Sequence, residues 1–306
     1  MVLKRSLLVA LVLVLAGCGP APAPTAATAA RTPRPTAKES PVPSACTAVG
    51  QTRVRAADGM EMVCVPEAEF LMGSSDADPD AGDDEKPQHT VYLDGYWIDR
   101  TEVTNAQYRK CVEAGACQAP TTCDWGEPTY GDTSKANHPV VCVDWYRAQA
   151  YCAWAGGQLP TEAQWEKAAR GVEGRIYPWG NAFDCARGNF DDETQIDSYV
   201  VPGGAGCDGY DGTAPVGSFP SGASPYGALD MAGNVWEWLA DWYDSGYYAQ
   251  SPSRNPSGPA SGDIKVLRGG SWLYVVWYAR AAARDSGAPD HRYDVVGFRC
   301  VVAPGR

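Results

Sequence analysis

The chain has 306 residues, with 37 Asp or Glu against 25 Lys or Arg, a formal charge of -12 with His neutral. That balance argues against a nucleic-acid surface, which needs clustered Lys and Arg. His89, His138 and His291 are scattered, which argues against a histidine-built metal centre.

The first residues carry an export signal. Lys4 and Arg5 precede an uninterrupted apolar run from Leu7 to Ala16, the layout of a secretory signal peptide. The run is well short of the roughly 20 residues that a membrane-spanning helix needs. It ends Leu15-Ala16-Gly17-Cys18, the form of a bacterial lipobox, so residues 1–18 are expected to be a lipoprotein signal with Cys18 carrying the lipid. Stable anchoring takes more than one acyl chain. Residues 19–45 are mostly Pro, Ala, Thr and Ser, with almost nothing to bury, and read as a semi-rigid tether. Residues 46–306, rich in Trp, Tyr and Gly, read as one extracytoplasmic domain.

Local signals mark three helices. Thr104 and Gln107 form a capping box, with Tyr108, Cys111 and Val112 at helical spacing and Gly115 as a stop. Asp144 caps a second helix running through Ala148, Tyr151 and Cys152 to Gly156. Thr161 and Gln164 form another capping box ahead of Trp165 and Ala168, closed by Gly171; Glu166 and Arg170 can pair one turn apart. Strand-like runs lie at 62–65, 90–98 and 297–302. The stretches 177–230 and 243–263 carry Gly, Pro, Asn and Asp without periodicity. Loops of that length are uncommon in a compact domain unless something pins them.

Besides Cys18, ten cysteines remain: Cys46, Cys64, Cys111, Cys117, Cys123, Cys142, Cys152, Cys185, Cys207 and Cys300. An even number in an exported chain implies disulfides, and no CxxC or Cys/His cluster has zinc spacing.

Ordered motifs carry a resemblance. Phe70-Leu71-Met72-Gly73-Ser74 precedes Tyr96-Trp97-Ile98-Asp99 and Glu102-Val103-Thr104-Asn105. Leu159-Pro160-Thr161-Glu162 leads to Pro178-Trp179-Gly180-Asn181. Gly233-Asn234-Val235-Trp236-Glu237-Trp238 is followed by Arg268-Gly269-Gly270-Ser271-Trp272 and Gly297-Phe298-Arg299-Cys300. In this order, from about Gly59 to Val302, the set resembles the formylglycine-generating-enzyme (sulfatase-modifying factor) domain. The resemblance implies a loop-rich α+β fold related to C-type lectins, with little regular structure for its size.

It also implies two structural calcium ions, each needing six to eight oxygens. One would use Asn189, the carbonyl of Phe190, Asp208 and the carbonyl of Tyr210; the other would use Asp230, the carbonyls of Gly233 and Val235, and Glu237. By the same resemblance Cys152 pairs with Cys300. A second family bridge would need cysteines near Ala169 and Ala282 and is lost as a unit. A Cys185–Cys207 bond would close the loop bearing the first calcium ligands, which is worth roughly 3 kcal/mol in the chain-entropy model. Cys46–Cys64 is a further candidate; Cys111, Cys117, Cys123 and Cys142 stay unassigned.

Active members of that family oxidise a sulfatase cysteine with oxygen and a copper ion held by two cysteines. Here Tyr274 stands at the first of those positions, and the second falls near Trp277 or Tyr278. Phenol and indole do not replace thiolates as soft ligands for Cu(I), so copper is not expected. The related iron-dependent sulfoxide synthases need a histidine-bearing domain that is missing from this sequence. No His or Asp is placed in sequence to activate Ser271 as a nucleophile. The expectation is a non-oxidase module binding a peptide, protein or glycan at the cell envelope, with Ser271, Trp272, Tyr274, Trp277 and Tyr278 as groove candidates. The alternative is a formylglycine-generating oxidase with a reorganised site.

Overall fold

A computed structural model describes residues 45–190 and 206–304. The signal segment, Cys18 and the tether up to Ser44 lie outside the described residues. Within them, three helices and ten short strands are joined by long irregular segments, a mixed α+β architecture. No described helix is long and apolar enough to cross a membrane.

The helices form where local chemistry closes their ends. Helix α1 (Asn105–Glu113) begins with the Gln107 amide donating to Thr104 Oγ1 at 3.2 Å, while the Thr104 amide donates to Gln107 Oε1 at 2.9 Å. Helix α2 (Trp145–Trp154) has Asp144 accepting from the Arg147 amide at 2.9 Å. Helix α3 (Glu162–Arg170) repeats the reciprocal cap with Thr161 and Gln164. It ends on Gly171 at φ 72°, a left-handed conformation that a side chain would strain.

Strands β1 (Thr52–Val54), β2 (Glu61–Val65), β5 (Tyr96–Asp99) and β10 (Val301–Val302) make an antiparallel sheet in the order β1-β2-β5-β10, which joins the two ends of the domain. Strands β3 (Ala68–Met72) and β4 (His89–Leu93) form a separate pair. The third sheet, in the order β8-β7-β6-β9, combines β6 (Trp236–Trp242), β7 (Lys265–Arg268), β8 (Asp285–Gly287) and β9 (Val296–Gly297), with β9 parallel to β6.

Two of the expected strands are each divided. The run 90–98 breaks at Asp94-Gly95, and its halves enter different sheets. A Cβ on Gly95 would sit 2.9 Å from the Cys46 carbonyl. The run 297–302 breaks where Arg299 turns inward onto Glu237, at 2.7 Å.

Trp97, Trp165, Trp236 and Trp238 are fully buried and fill the space between these elements. Five disulfides brace it: Cys46–Cys64, Cys111–Cys117, Cys123–Cys142, Cys152–Cys300 and Cys185–Cys207. The first long loop stretch is irregular where it is described, at 177–190 and 206–230. Both it and 243–263 hold only short 3-10 turns, pinned by side chains from elsewhere in the chain. One pin is Asn234, whose Oδ1 accepts from the Ala214 amide at 2.9 Å.

Candidate functional site

The segment after β7 turns back at Gly269-Gly270. Gly270 has φ 73°, and a Cβ there would press on the Tyr278 carbonyl at 3.1 Å. This turn buries Ser271 completely, and its Oγ accepts from the Leu273 amide at 3.3 Å. Among the described residues, no His or carboxylate is hydrogen-bonded to that hydroxyl. Trp272 packs beside Cys123, Cys142 and Val235. The Tyr274 and Tyr278 rings meet edge to face, with centroids 5.6 Å apart, and each also packs on Trp236, at 5.5 and 5.6 Å. Trp277 lies against Tyr278.

Of the five groove candidates, Tyr274 alone reaches an adjoining cavity of about 290 Å³. The cavity walls include Trp125, Trp236, Leu267, Tyr274, Asp285 and Tyr293. Trp125, Asp285 and Tyr293 went unnoticed in the sequence reading. The available signal for Trp125 was its turn, between Cys123 and Gly126.

That turn is fixed in several ways. The Asp124 amide donates to the Arg292 carbonyl at 2.8 Å, and the Arg292 guanidinium meets the Asp124 carboxylate at 2.7 Å. Cys123 is tied to Cys142, and a Cβ on Gly126 would overlap the Asp294 carboxylate. Trp125 is therefore held rigidly although it is 52% exposed.

Asp285 lies on β8 opposite Leu267. Its Oδ1 accepts from the Ser286 amide at 2.7 Å, and no cation among the described residues is within ion-pair distance. Burial, with a smaller push from Asp84, holds this carboxyl above the usual range. Burial also raises the Tyr274 and Tyr293 phenols, and Asp285 adds to both shifts.

The proposed calcium positions fall in a second region. The Asp208 carboxylate accepts from the Phe190 amide at 2.8 Å and the Tyr210 amide at 3.0 Å, which draws the first set together. Asn189 is buried, and its Oδ1 has no hydrogen-bond partner among the described residues. A buried carbonyl oxygen without a donor beside a carboxylate fits a hard cation.

In the second set Glu237 is already engaged. It accepts from Arg299 at 2.7–2.9 Å and from the Trp165 indole at 3.0 Å. Asp230, at φ 56°, accepts from the Gly217 amide at 2.6 Å. The structure adds Glu102, also missed in the sequence. It is fully buried, with Oε1 bonded to Asn234 Nδ2 at 3.0 Å and Oε2 lacking a donor among the described residues. Three buried carboxylates thus face one guanidinium, and burial raises all three above the usual range. A proton or a cation relieves that excess. No three His, Cys, Asp or Glu side chains converge as a metal cluster among the described residues, so carbonyl and amide oxygens would complete either shell.

Residues 48–304 match the sulfatase-modifying factor enzyme 1-like domain. The chain belongs to that family. It is 36% identical over 318 residues to the formylglycine-generating enzyme of Streptomyces coelicolor, covering 88% of this chain and 94% of the relative. It is nearly as similar, at 34% over 288 residues, to the inactive C-alpha-formylglycine-generating enzyme 2 of Mus musculus, covering 80% and 86%. PvdO from Pseudomonas aeruginosa superposes with a TM-score of 0.70 at 29% identity, over 83% of this chain and 98% of that one. Relatives named for the activity and for its absence lie at similar distance, so identity alone does not decide between them. In this sulfatase-modifying-factor domain all ten described cysteines are in disulfides. The positions that the resemblance assigns to copper thiolates hold packed rings, which do not fit that metal.

Proposed function

We propose that the protein is a non-oxidase binding module of the cell envelope, taking a peptide, protein or glycan in the cavity beside Tyr274. One observation carries this reading: rings stand where the copper thiolates belong, and they border a rigid, partly open aromatic pocket. Tyr and Trp give large contact area at low entropic cost. Two structural calcium ions would sit at the Asn189–Asp208 and Asp230–Glu237 positions and hold the loops. The Cys18 anchor and the tether would keep the domain at the membrane surface, outside the cytoplasm.

The test is turnover followed by mass spectrometry. The full chain receives a Cys-x-Pro-x-Arg peptide, copper, a thiol reductant and oxygen, beside an active relative. The expected outcome is an unchanged cysteine. Conversion to the aldehyde would overturn the reading and establish an oxidase with a reorganised site.

A further inference from the structure

We infer that the cavity takes the ammonium group of a lysine-type side chain on an extended peptide, held by Asp285 among the rings of Trp125, Trp236, Tyr274 and Tyr293. The inference rests on the binding-module reading and names the ligand class for that site.

Three observations lead to it. The walls are aromatic, and ring faces attract cations through their quadrupoles. Among them stands one carboxylate with no cationic partner among the described residues. In the framework around α3 and β7 the buried carboxylates are matched: Glu85 meets Arg280 at 2.6 Å, and Glu162 meets Arg284 at 2.7 Å. Asp285 lacks such a match where a ligand can reach it. The surroundings have the same sign. Asp124 and Asp290 act on the Tyr293 hydroxyl along with Asp285, and the nearby Arg292 is engaged by Asp124. A neutral sugar or apolar side chain would leave this charge uncompensated as it displaced water. An ammonium group compensates it.

A peptide is favoured over a free solute by the position of Asp285. Strand β8 is the terminal strand of its sheet, and Asp285 and Ser286 both line the cavity. A peptide can run along such an edge and place one side chain inward, with main-chain hydrogen bonds adding affinity. Trp125, half exposed and fixed by its turn, offers a surface for the neighbouring residue. The cavity volume suits one side chain rather than a folded partner.

The test is equilibrium titration of the full chain, followed by ligand-observed NMR, with acetyl-Gly-Lys-Gly-amide and its norleucine counterpart. The lysine peptide should bind at least roughly tenfold more tightly, because the pair formed with Asp285 is desolvated. Asp285→Asn keeps an acceptor for the Ser286 amide and should erase that preference. Trp125→Ala should weaken lysine-peptide binding roughly threefold to tenfold. Thermal melts establish that both variants are folded. Equal affinity for the two peptides, or a preference that survives Asp285→Asn, overturns the inference. So does an absence of binding by the lysine peptide. Choline binding as tightly as the lysine peptide overturns the peptide source. The binding-module reading is decided separately, by the turnover assay, and survives a norleucine peptide that binds equally well.

Discussion

The region around α3 and the cavity beside β8 treat buried charge in opposite ways. At α3, Glu162 meets Arg284 at 2.7 Å and Arg268 at 3.3 Å, and Glu166 meets Arg170 at 2.8 Å and Arg268. Burial alone would raise Glu162, but Arg284 and Arg268 outweigh it and hold the carboxyl below the usual range. Burial raises Asp285, and no guanidinium among the described residues counters it. The first region joins segments distant in sequence, from Gly73 to Arg284, and its charges are spent on the fold. Gly73 donates to Glu166 at 2.7 Å, and Arg170 reaches the Gly73 carbonyl at 2.7 Å. The second keeps its charge for something outside the chain. Carboxylates of the same chemical type can thus be matched inside the chain or left without a cation at the wall of a cavity.

The largest effect should come from opening the closed network. Arg268→Met leaves Glu166 with Arg170 and Glu162 with Arg284, each short of one partner inside the protein. Removing one member of a buried ion network costs about 3–5 kcal/mol. Urea denaturation should register that loss with little change in slope. A loss below about 1 kcal/mol would mean that the network is no framework.

A smaller effect tests a carboxyl that departs from the pattern. Asp241 is buried near Glu162, and burial pushes it up to about 7. A raised pKa contributes stability that is complete below the unfolded carboxylate value, about 4, and is lost as pH rises through about 7. Glu162 acts in the opposite sense, contributing stability above about 4 that is lost as pH falls through its depressed value. Metal-free protein should therefore lose stability between about pH 4 and pH 7. Asp241→Asn should flatten that slope by roughly 2–4 kcal/mol over the window. An unaltered slope would show that Asp241 is not the titrating group.

Calcium should act on the third group of carboxylates. If Glu102 and Asp230 hold protons when no cation is present, calcium must displace them. Melting temperature should rise with calcium, by the equivalent of about 2.7 kcal/mol at a hundredfold excess over Kd, and more steeply at higher pH. Glu102→Gln should reduce that pH dependence and leave the Asn189–Asp208 position intact. A melting curve indifferent to calcium and to chelator would remove both ions from the account.

How far these features were legible in the sequence follows from the range of the interactions. Helices α1, α2 and α3 were readable because Thr104 with Gln107, Asp144 with Arg147, and Thr161 with Gln164 act within one turn. Strands β6 and β7 were not, because Glu237, Asp241, Lys265 and Arg268 sit buried on them and erase the alternation of apolar and polar residues. Each is tolerated only through partners far away, such as Arg299 for Glu237. The site was half legible. Tyr274 could be found by its offset from Gly269-Gly270, whereas Trp125 is marked only by its turn between Cys123 and Gly126, and Asp285 reaches the site from a separate strand with no local mark.

The smallest effect on stability is also the sharpest test of the contrast. Trp125 is 52% exposed, and its turn is held by Asp124, Arg292 and the Cys123–Cys142 bond rather than by the indole. Trp125→Ala should therefore leave unfolding free energy within about 0.5 kcal/mol, the usual range for exposed positions without a structural duty. A large ring held in water by a rigid turn that does not need it is hard to explain by folding. If the variant melts like the parent and loses peptide affinity, the turn exists to present the ring. If it melts well below the parent, Trp125 is part of the packing, and the cavity loses the wall that sets it apart from the closed region around α3.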